Sequence, residues 1–281
     1  MSSNTPTGTA STGATPTHAR GTAPADTDGG IGWVIRDTRA MTWRNITGMF
    51  RVPQVLVFSL IQPVIFVLMF RYVFGGAIKI PGQSYVNFLM PGIFVQTAKF
   101  GAINTAVGLA DDKGKGLIER LRSLPMSRSA VLSGRVMADT IRNLVIVVLM
   151  LVIGMGVGFR PNTNLLMVAA GIGVLVVFGI ALAWLFVTIG LSVTNGEAAQ
   201  AAAFPLLAPL TFASNLFVSP ATMPGWLQVW ARNQPVSATA DAVRACMTGG
   251  PTASKVVIAL AWSVGMSAVF AVIAIRRYRR L

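Results

Sequence analysis

An all-α, multi-pass membrane protein accommodates three features of this chain that a water-soluble fold does not. The sequence is 53% hydrophobic and only 11% charged, whereas an ordinary soluble domain carries roughly 25% charged residues. Several apolar runs reach or approach the ~20 residues that cross a bilayer's hydrocarbon core as a helix. Lys and Arg, 23 residues against 9 Asp and Glu, fall in blocks beside those runs rather than in one groove or arm. That pattern records membrane orientation and argues against nucleic-acid binding.

The same composition narrows the chemistry. A lone cysteine, Cys246, excludes an internal disulfide, and with the lone histidine, His18, it leaves none of the usual Cys/His zinc arrangements, so no metal site is expected. The phosphate-binding pattern GxxxxGK[ST] is missing: "GKG" at 114–116 has neither its spacing nor its hydroxyl, so the chain is not expected to bind or hydrolyse ATP by itself. The apolar runs hold no cluster of His, Cys or carboxylates, which argues against a membrane-bound enzyme.

Residues 1 to about 30 are mainly Ser, Thr, Gly, Ala and Pro, with almost no large apolar side chain to offset the entropy of ordering. They read as a disordered tail, and without a basic start or an apolar core they do not read as a signal peptide. Residues 31–281 read as one transmembrane domain. From Ile31 to Phe50, Trp43, Ile46, Met49 and Phe50 share one helical face while Asp37, Arg44 and Arg51 share another. This describes a helix lying in the membrane interface, although a helix packed on a soluble partner carries the same pattern. Six spans follow, at about 52–70, 86–110, 140–158, 165–193, 200–218 and 256–275. The fourth is long enough to require tilt or a kink. Pro63, Pro91, Pro205 and Pro209 fall inside spans, where neighbouring helices accommodate the freed carbonyls. Glycines 154, 156, 158, 171, 173 and 179 are assigned to close helix packing.

With both ends in the cytoplasm, the inner side holds Arg20, Arg36, Arg39, Arg44, Arg51, Lys113, Lys115, Arg120, Arg122, Arg128, Arg135, Arg142, Arg276, Arg277, Arg279 and Arg280. The outer side holds Lys79, Arg160, Arg232, Arg244 and Lys255, and Arg71 and Lys99 remain within or at the edge of spans. A bias of 16 against 5 places both termini inside and requires an even number of spans.

That topology puts the most charged run of the chain, "DDKGKGLIERLRSLPMSR" at 111–128, in the largest cytoplasmic loop. Leu117, Ile118, Leu121 and Leu124 recur at helical spacing, Glu119, Arg120 and Arg122 surround them, and Pro125 stops the helix. A loop that only fixed topology would not require an apolar stripe, so this short amphipathic helix reads as a docking element for a soluble partner.

The loop resembles the cytoplasmic coupling segment of ABC type-2 exporter permeases, in which an acidic-Lys-Gly start leads into a Glu/Asp-Arg-(Leu/Phe)-Arg-x-Leu-Pro helix. "QPVIFVLMFRYVFGGAI" (62–78), "YVNFLMPGIFV" (85–95) and "NLFVSPATMPGWLQVWARNQPVSATADAVRACMTGG" (215–250) agree with the same family in the right order. Within it, the chain looks most like the daunorubicin-resistance permeases of actinobacteria. It departs from the family pattern at "DDKGKG", where a simpler "EKG" often leads on, and at Lys99, where an apolar residue is usual.

The resemblance implies one half of an ATP-driven exporter in a bacterial plasma membrane, with ATP and Mg held by a separate ABC ATPase subunit and a second permease, identical or paralogous, completing a dimer. It implies an amphiphilic drug, antibiotic or lipid as substrate, with a polysaccharide or envelope component as the alternative. Lys113, Gly114, Leu117, Ile118, Glu119, Arg120, Leu121, Arg122, Leu124 and Pro125 would then form the ATPase-coupling segment.

Between spans 5 and 6, residues 214–254 are too apolar for an ordinary solvated loop. Pro224 suits a first helical position, Trp226, Leu227 and Trp230 share a face, and Ser237 suits the cap of a second short helix carrying Asp241 and Arg244. This segment reads as an aromatic anchor at the interface. The resemblance implies instead re-entrant helices that close the outer mouth of the path, with Pro224, Trp226, Leu227 and Trp230 as an outer gate. Lys99, in the middle of span 2, must face protein, water or a partner, and it reads equally as a snorkelling side chain and as a contact on the translocation path. A proton- or sodium-driven transporter would need more, because no carboxylate lies at the centre of any span.

Overall fold

The computed structural model describes residues 31–50, 53–75, 84–117, 128–218, 220 and 223–280. The expected tail at 1–30 lies outside the described residues, as do Ile118, Glu119, Arg120, Leu121, Arg122, Leu124 and Pro125 of the charged loop. The described residues form nine α-helices and no strand. These are α1 (Ile31–Phe50), α2 (Pro53–Met69, continued by a π turn Phe70–Phe74), α3 (Tyr85–Gly114), α4 (Arg128–Gly156), α5 (Leu165–Ser192), α6 (Gly196–Phe212), α7 (Gly225–Asn233), α8 (Pro235–Thr248) and α9 (Thr252–Arg280).

Three segments are each long and apolar enough to cross a bilayer by themselves: Ser129–Gly156, Leu165–Ser192 and Thr252–Tyr278; the apolar helix Val57–Val73 is shorter. Three helices of this kind make the chain a multi-pass membrane protein. At 1.5 Å per residue, α3 is about 45 Å long, but it carries Asn87, Gln96 and Lys99 and is buried on every side from Tyr85 to Lys99. Its neighbours α2, α4, α5, α6 and α8 supply that cover. α9 is at the other extreme, with 11% of its apolar window buried, and it presents Val257, Val264, Val269 and Val272 outward. A polar helix at the centre and an apolar one at the rim follow from the cost of exposing amides and charge to hydrocarbon.

Contacts at the two ends of α3 fix the directions of its neighbours. Near its start, Asn87 Oδ1 accepts the backbone N–H of Arg160, just beyond α4. Near its end, Asp112 pairs with Arg135, in the first turns of α4. α4 is therefore antiparallel to α3. α5 runs with α3, since its C-terminal carbonyls meet Lys113.

Close approach is concentrated at glycines other than most of those singled out above. A Cβ on Gly190 of α5 would lie 2.7 Å from the carbonyl oxygen of Ala106, and one on Gly92 of α3 would collide with the backbone of Leu216. Of the six expected packing glycines, Gly154 meets Met90 and Gly171 meets Cys246, whereas Gly156, Gly173 and Gly179 have open space beside them. Gly249 and Gly250, with φ of +95° and +122°, make the break between α8 and α9 that residues with a Cβ rarely adopt.

α1 packs on α4 through the face that carries Met41 and Thr42. Met41 is buried against Gly134 of α4, and the Thr42 hydroxyl donates to the carbonyls of Thr38 (2.7 Å) and Gly134 (3.4 Å). Trp43 points away from the protein and is 72% exposed. Small and hydroxyl-bearing side chains bring two helices close, and the bulky aromatic is left for the surroundings.

Gly190→Val is expected to wedge α5 from α3 and to lower the thermal stability of the detergent-solubilised protein by the equivalent of about 1–3 kcal/mol. A melting temperature equal to wild type would contradict the close approach of these helices.

Candidate functional site

The charged loop follows α3 in the chain, and the residues at its root are tied down on two sides. Asp112 Oδ2 meets Arg135 Nη1 at 2.5 Å, Arg135 Nε lies 3.4 Å from Asp139 Oδ2, and Arg142 Nη2 lies 3.0 Å from Asp139 Oδ1. Arg142 also donates to the carbonyl of Gly101 at 3.2 Å. The pairing of Asp139 with both arginines is the one its spacing in the sequence predicts. Two glycines of α3 make room for these side chains: Asn143, beside Arg142, packs directly on Gly101, and the Arg135 guanidinium packs on Gly108. The glycines lie seven residues apart on α3 and the side chains they meet eight apart on α4, intervals that keep both contacts on one face of each helix.

On its other side the root of the loop holds the α5–α6 turn. Asp111 Oδ1 accepts the backbone N–H of Gly196 at 2.8 Å, and the Lys113 ammonium donates to the carbonyls of Leu191 (3.1 Å) and Val193 (3.2 Å). Asn195 caps α6 by accepting the N–H of Ala198 at 2.8 Å. These bonds satisfy donors at the start of one helix and acceptors at the end of another, each with the charge its helix end favours. Asp111, Asp112 and Asp139 balance Lys113, Arg135 and Arg142, so the cluster carries no formal net charge.

Of the expected coupling residues, Lys113 is therefore directed at the α5 carbonyls. Gly114 is exposed, with space for a Cβ limited only by the Thr194 carbonyl at 3.2 Å, and Leu117 is half-buried. The other seven lie outside the described residues. Sequence reasoning did not place Asp111, Asp112 or Arg135 in one site.

At the far end of α3, α8 is held by Arg244. Its guanidinium donates to Asp241 Oδ1 (2.7 Å), to the Asn215 carbonyl (3.2 Å) and to the Phe88 carbonyl (3.3 Å), and it lies 4.0 Å over the Phe88 ring. Burial pushes this guanidinium down to about 10, opposed by the charge and hydrogen bond of Asp241, so it stays charged at neutral pH. The Asn215 amide also donates to Asp241 at 2.7 Å, and the Gln234 amide donates to the Ala213 carbonyl. The segment after α6 is fixed further by Phe217, stacked on Phe70 at 4.7 Å.

Pro224 is the N-cap residue of α7 rather than its first helical residue, with φ −55° and ψ 147° leading into Gly225. Trp226 and Trp230 are 76% and 53% exposed, Val229 between them is exposed as well, and Leu227 is half-buried. Ser237 does not cap α8. Gln234 is the N-cap and Pro235 the first helical residue, because Pro lacks the N–H that would otherwise need a partner there. Ser237 instead accepts the backbone N–H of Asn215 at 3.1 Å.

Lys99 is 1% exposed, and its ammonium donates to the Thr211 hydroxyl of α6 at 2.5 Å. The Thr211 hydroxyl in turn donates to the Leu207 carbonyl at 2.7 Å. Lying midway along α3, Lys99 is joined to the proline-interrupted part of α6 that contains Pro205 and Pro209. Among the described residues there is no group of His, Cys, Asp or Glu able to hold a metal ion.

The described residues form a bundle of apolar helices around one polar helix, and residues 36–248 match the family described as ABC-2 type transporter. The chain belongs to this family. It is 35% identical over 237 residues, 84% of each chain, to the daunorubicin resistance ABC transporter permease protein DrrB1 of Streptomyces coeruleorubidus. It is 30% identical over 247 residues, 88% of this chain and 89% of the relative, to the probable doxorubicin resistance ABC transporter permease protein DrrC of Mycobacterium tuberculosis. The putative transport permease ycf38 of Porphyra purpurea is 27% identical over 218 residues, 75% of this chain and 74% of its own.

Arg244→Met is expected to leave Asp241 and two backbone carbonyls without their shared donor and to destabilise the protein by about 1–3 kcal/mol. Arg244→Lys should recover little of this, since an ammonium cannot reproduce the planar fork that reaches three acceptors. Thermal melting of the purified variants checks both, and full recovery by Lys would contradict the fork geometry.

Proposed function

We propose that this chain is the permease subunit of an ATP-driven exporter that moves amphiphilic drug-like molecules out of a bacterial cell. The observation that carries the reading is its identity, along most of both chains, to permeases named for resistance to daunorubicin and doxorubicin. Family membership brings an ABC ATPase partner in general, and this chain's part in the cycle is to form the path and receive the stroke. ATP and Mg would reside on the ATPase.

In this reading α2, α3, α4, α5, α6 and α9 are the six spans, α1 lies in the cytoplasmic interface, and α7 and α8 are short helices re-entering from the outside. Both termini are cytoplasmic, as the distribution of Lys and Arg requires. Supporting it, α7 offers Trp226 and Trp230 outward where an interfacial or gating helix needs aromatic surface. α8 is anchored across α3 by Arg244, so closure of the outer mouth has a rigid base. A second copy of the chain, or a paralogue, completes the path, and membrane lipid covers α9. The amphipathic run Leu117, Ile118, Leu121 and Leu124 docks on the ATPase.

Lys99 fits a role on the path as a cation released from Thr211 when α6 shifts. A lone buried ammonium with one hydroxyl partner gives little to stability that a hydrophobic side chain would not.

Glu119→Arg combined with Leu121→Asp is expected to leave membrane insertion intact while abolishing substrate-stimulated ATP turnover of the permease–ATPase complex in lipid nanodiscs. Undiminished stimulation would remove the docking assignment. Lys99→Met should change the ranking of transported substrates, read as competition against daunorubicin uptake into inverted vesicles, without lowering the amount of inserted protein. An unaltered ranking would take Lys99 off the path.

A further inference from the structure

The root of the charged loop reaches beyond docking. We propose that Asp111 and Lys113 form a two-sided clasp on the α5–α6 turn, through which a displacement of the loop is passed directly to the start of α6. The inference rests on the exporter reading for the source of that displacement, while the clasp itself rests on geometry alone.

Four observations carry it. First, Asp111 and Lys113 lie in the last turn of α3, so they move with the stretch from which the loop departs. Second, they grip opposite sides of the turn: Asp111 holds the N–H of Gly196, the first residue of α6, and Lys113 holds the carbonyls of Leu191 and Val193 at the end of α5. The Gly196 N–H is one of the free donors of a helix start and is held by a charge-assisted bond, so moving Asp111 either moves the helix or exposes that donor. Third, the contact is tight enough to transmit a push. A Cβ on Gly196 would lie 2.5 Å from Asp111 Oδ1 and 2.9 Å from Val107, so no slack separates the two segments. Fourth, the driven helix is one that can respond. α6 contains Pro205 and Pro209, which remove hydrogen bonds from its own ladder, and it carries Thr211, the partner of Lys99, near its far end.

On its other side the root of the loop is fixed to α4 through Asp112, Arg135 and Asp139. α4 therefore serves as the fixed side and α6 as the moving side. Asp111 and Lys113 are positioning residues, acting on the path only through α6.

The test uses the permease–ATPase complex in nanodiscs and the permease alone. Asp111→Ala is expected to keep ATPase association and basal ATP turnover while lowering daunorubicin transported per ATP by about tenfold, the scale of a typical coupling energy between sites. Asp111→Asn keeps an acceptor oxygen and should recover most of the ratio. Lys113→Met should lower the same ratio, and if one of the two disruptive variants fails to insert the other decides. In the isolated permease, Asp111→Ala should also speed hydrogen exchange of the amides at 194–198, a measurement that needs no ATPase. Wild-type exchange there, or a wild-type transport ratio in Asp111→Ala, would overturn the clasp. If the unmodified permease recruits no ATPase, the exporter reading fails while the exchange measurement still decides the clasp.

Discussion

The placing of five other helices follows from α3. Thirty residues long, it carries Asn87, Gln96 and Lys99, none of which hydrocarbon can solvate, and it ends in a run of charge. An unsatisfied amide or an ammonium facing lipid costs several kcal/mol. α3 can exist in a bilayer only if other helices cover it. Five neighbours do so, and Asn87 and Lys99 find partners there, while Gln96 Oε1 is buried without one. Asn87 takes the Arg160 amide and Lys99 takes Thr211. The charged end is neutralised where α4 and the α5–α6 turn meet it.

The same constraint explains why the two ends of the bundle are built alike. At each end a partly buried cation reaches several acceptors contributed by other elements: Arg244 reaches Phe88 and the segment after α6, and Lys113 reaches the end of α5. Side chains that bond to main-chain carbonyls fix backbone segments in place without requiring a matching side chain opposite. α6, interrupted by two prolines and contacted at its start, near its end and just past it, is left as the least self-sufficient of the helices around α3. A path that opens and closes needs such an element among rigid ones.

Much of this was legible in the sequence because apolar runs and prolines mark helices independently of their partners. The positions of α2, α3, α5 and α9, the short helices α7 and α8, and the pairing of Asp139 with Arg135 and Arg142 follow from local pattern. What was missed depends on contacts between distant stretches. Asp111 and Gly196 are 85 positions apart, and nothing local marks the glycine as the aspartate's partner. α4 begins at Arg128 rather than near 140, because paired charges extend a helix past its apolar part. α1 meets α4 through Thr38, Met41 and Thr42, a contact that helical periodicity does not mark, and leaves Trp43 outward. The glycines divided in the same way, since only the crossing geometry decides which of them meets a neighbour.

The central claim is that work enters this molecule at the charged loop following α3. Cys246 is the only cysteine in the chain and is buried, so single engineered cysteines can be placed without removing it. The most direct measurement is site-directed cross-linking of the ATPase complex in membranes, comparing a cysteine at position 121 with one at position 226. The account predicts a permease–ATPase adduct from position 121 and none from position 226. An adduct from position 226, or none from either position in a complex that turns over ATP, would contradict it.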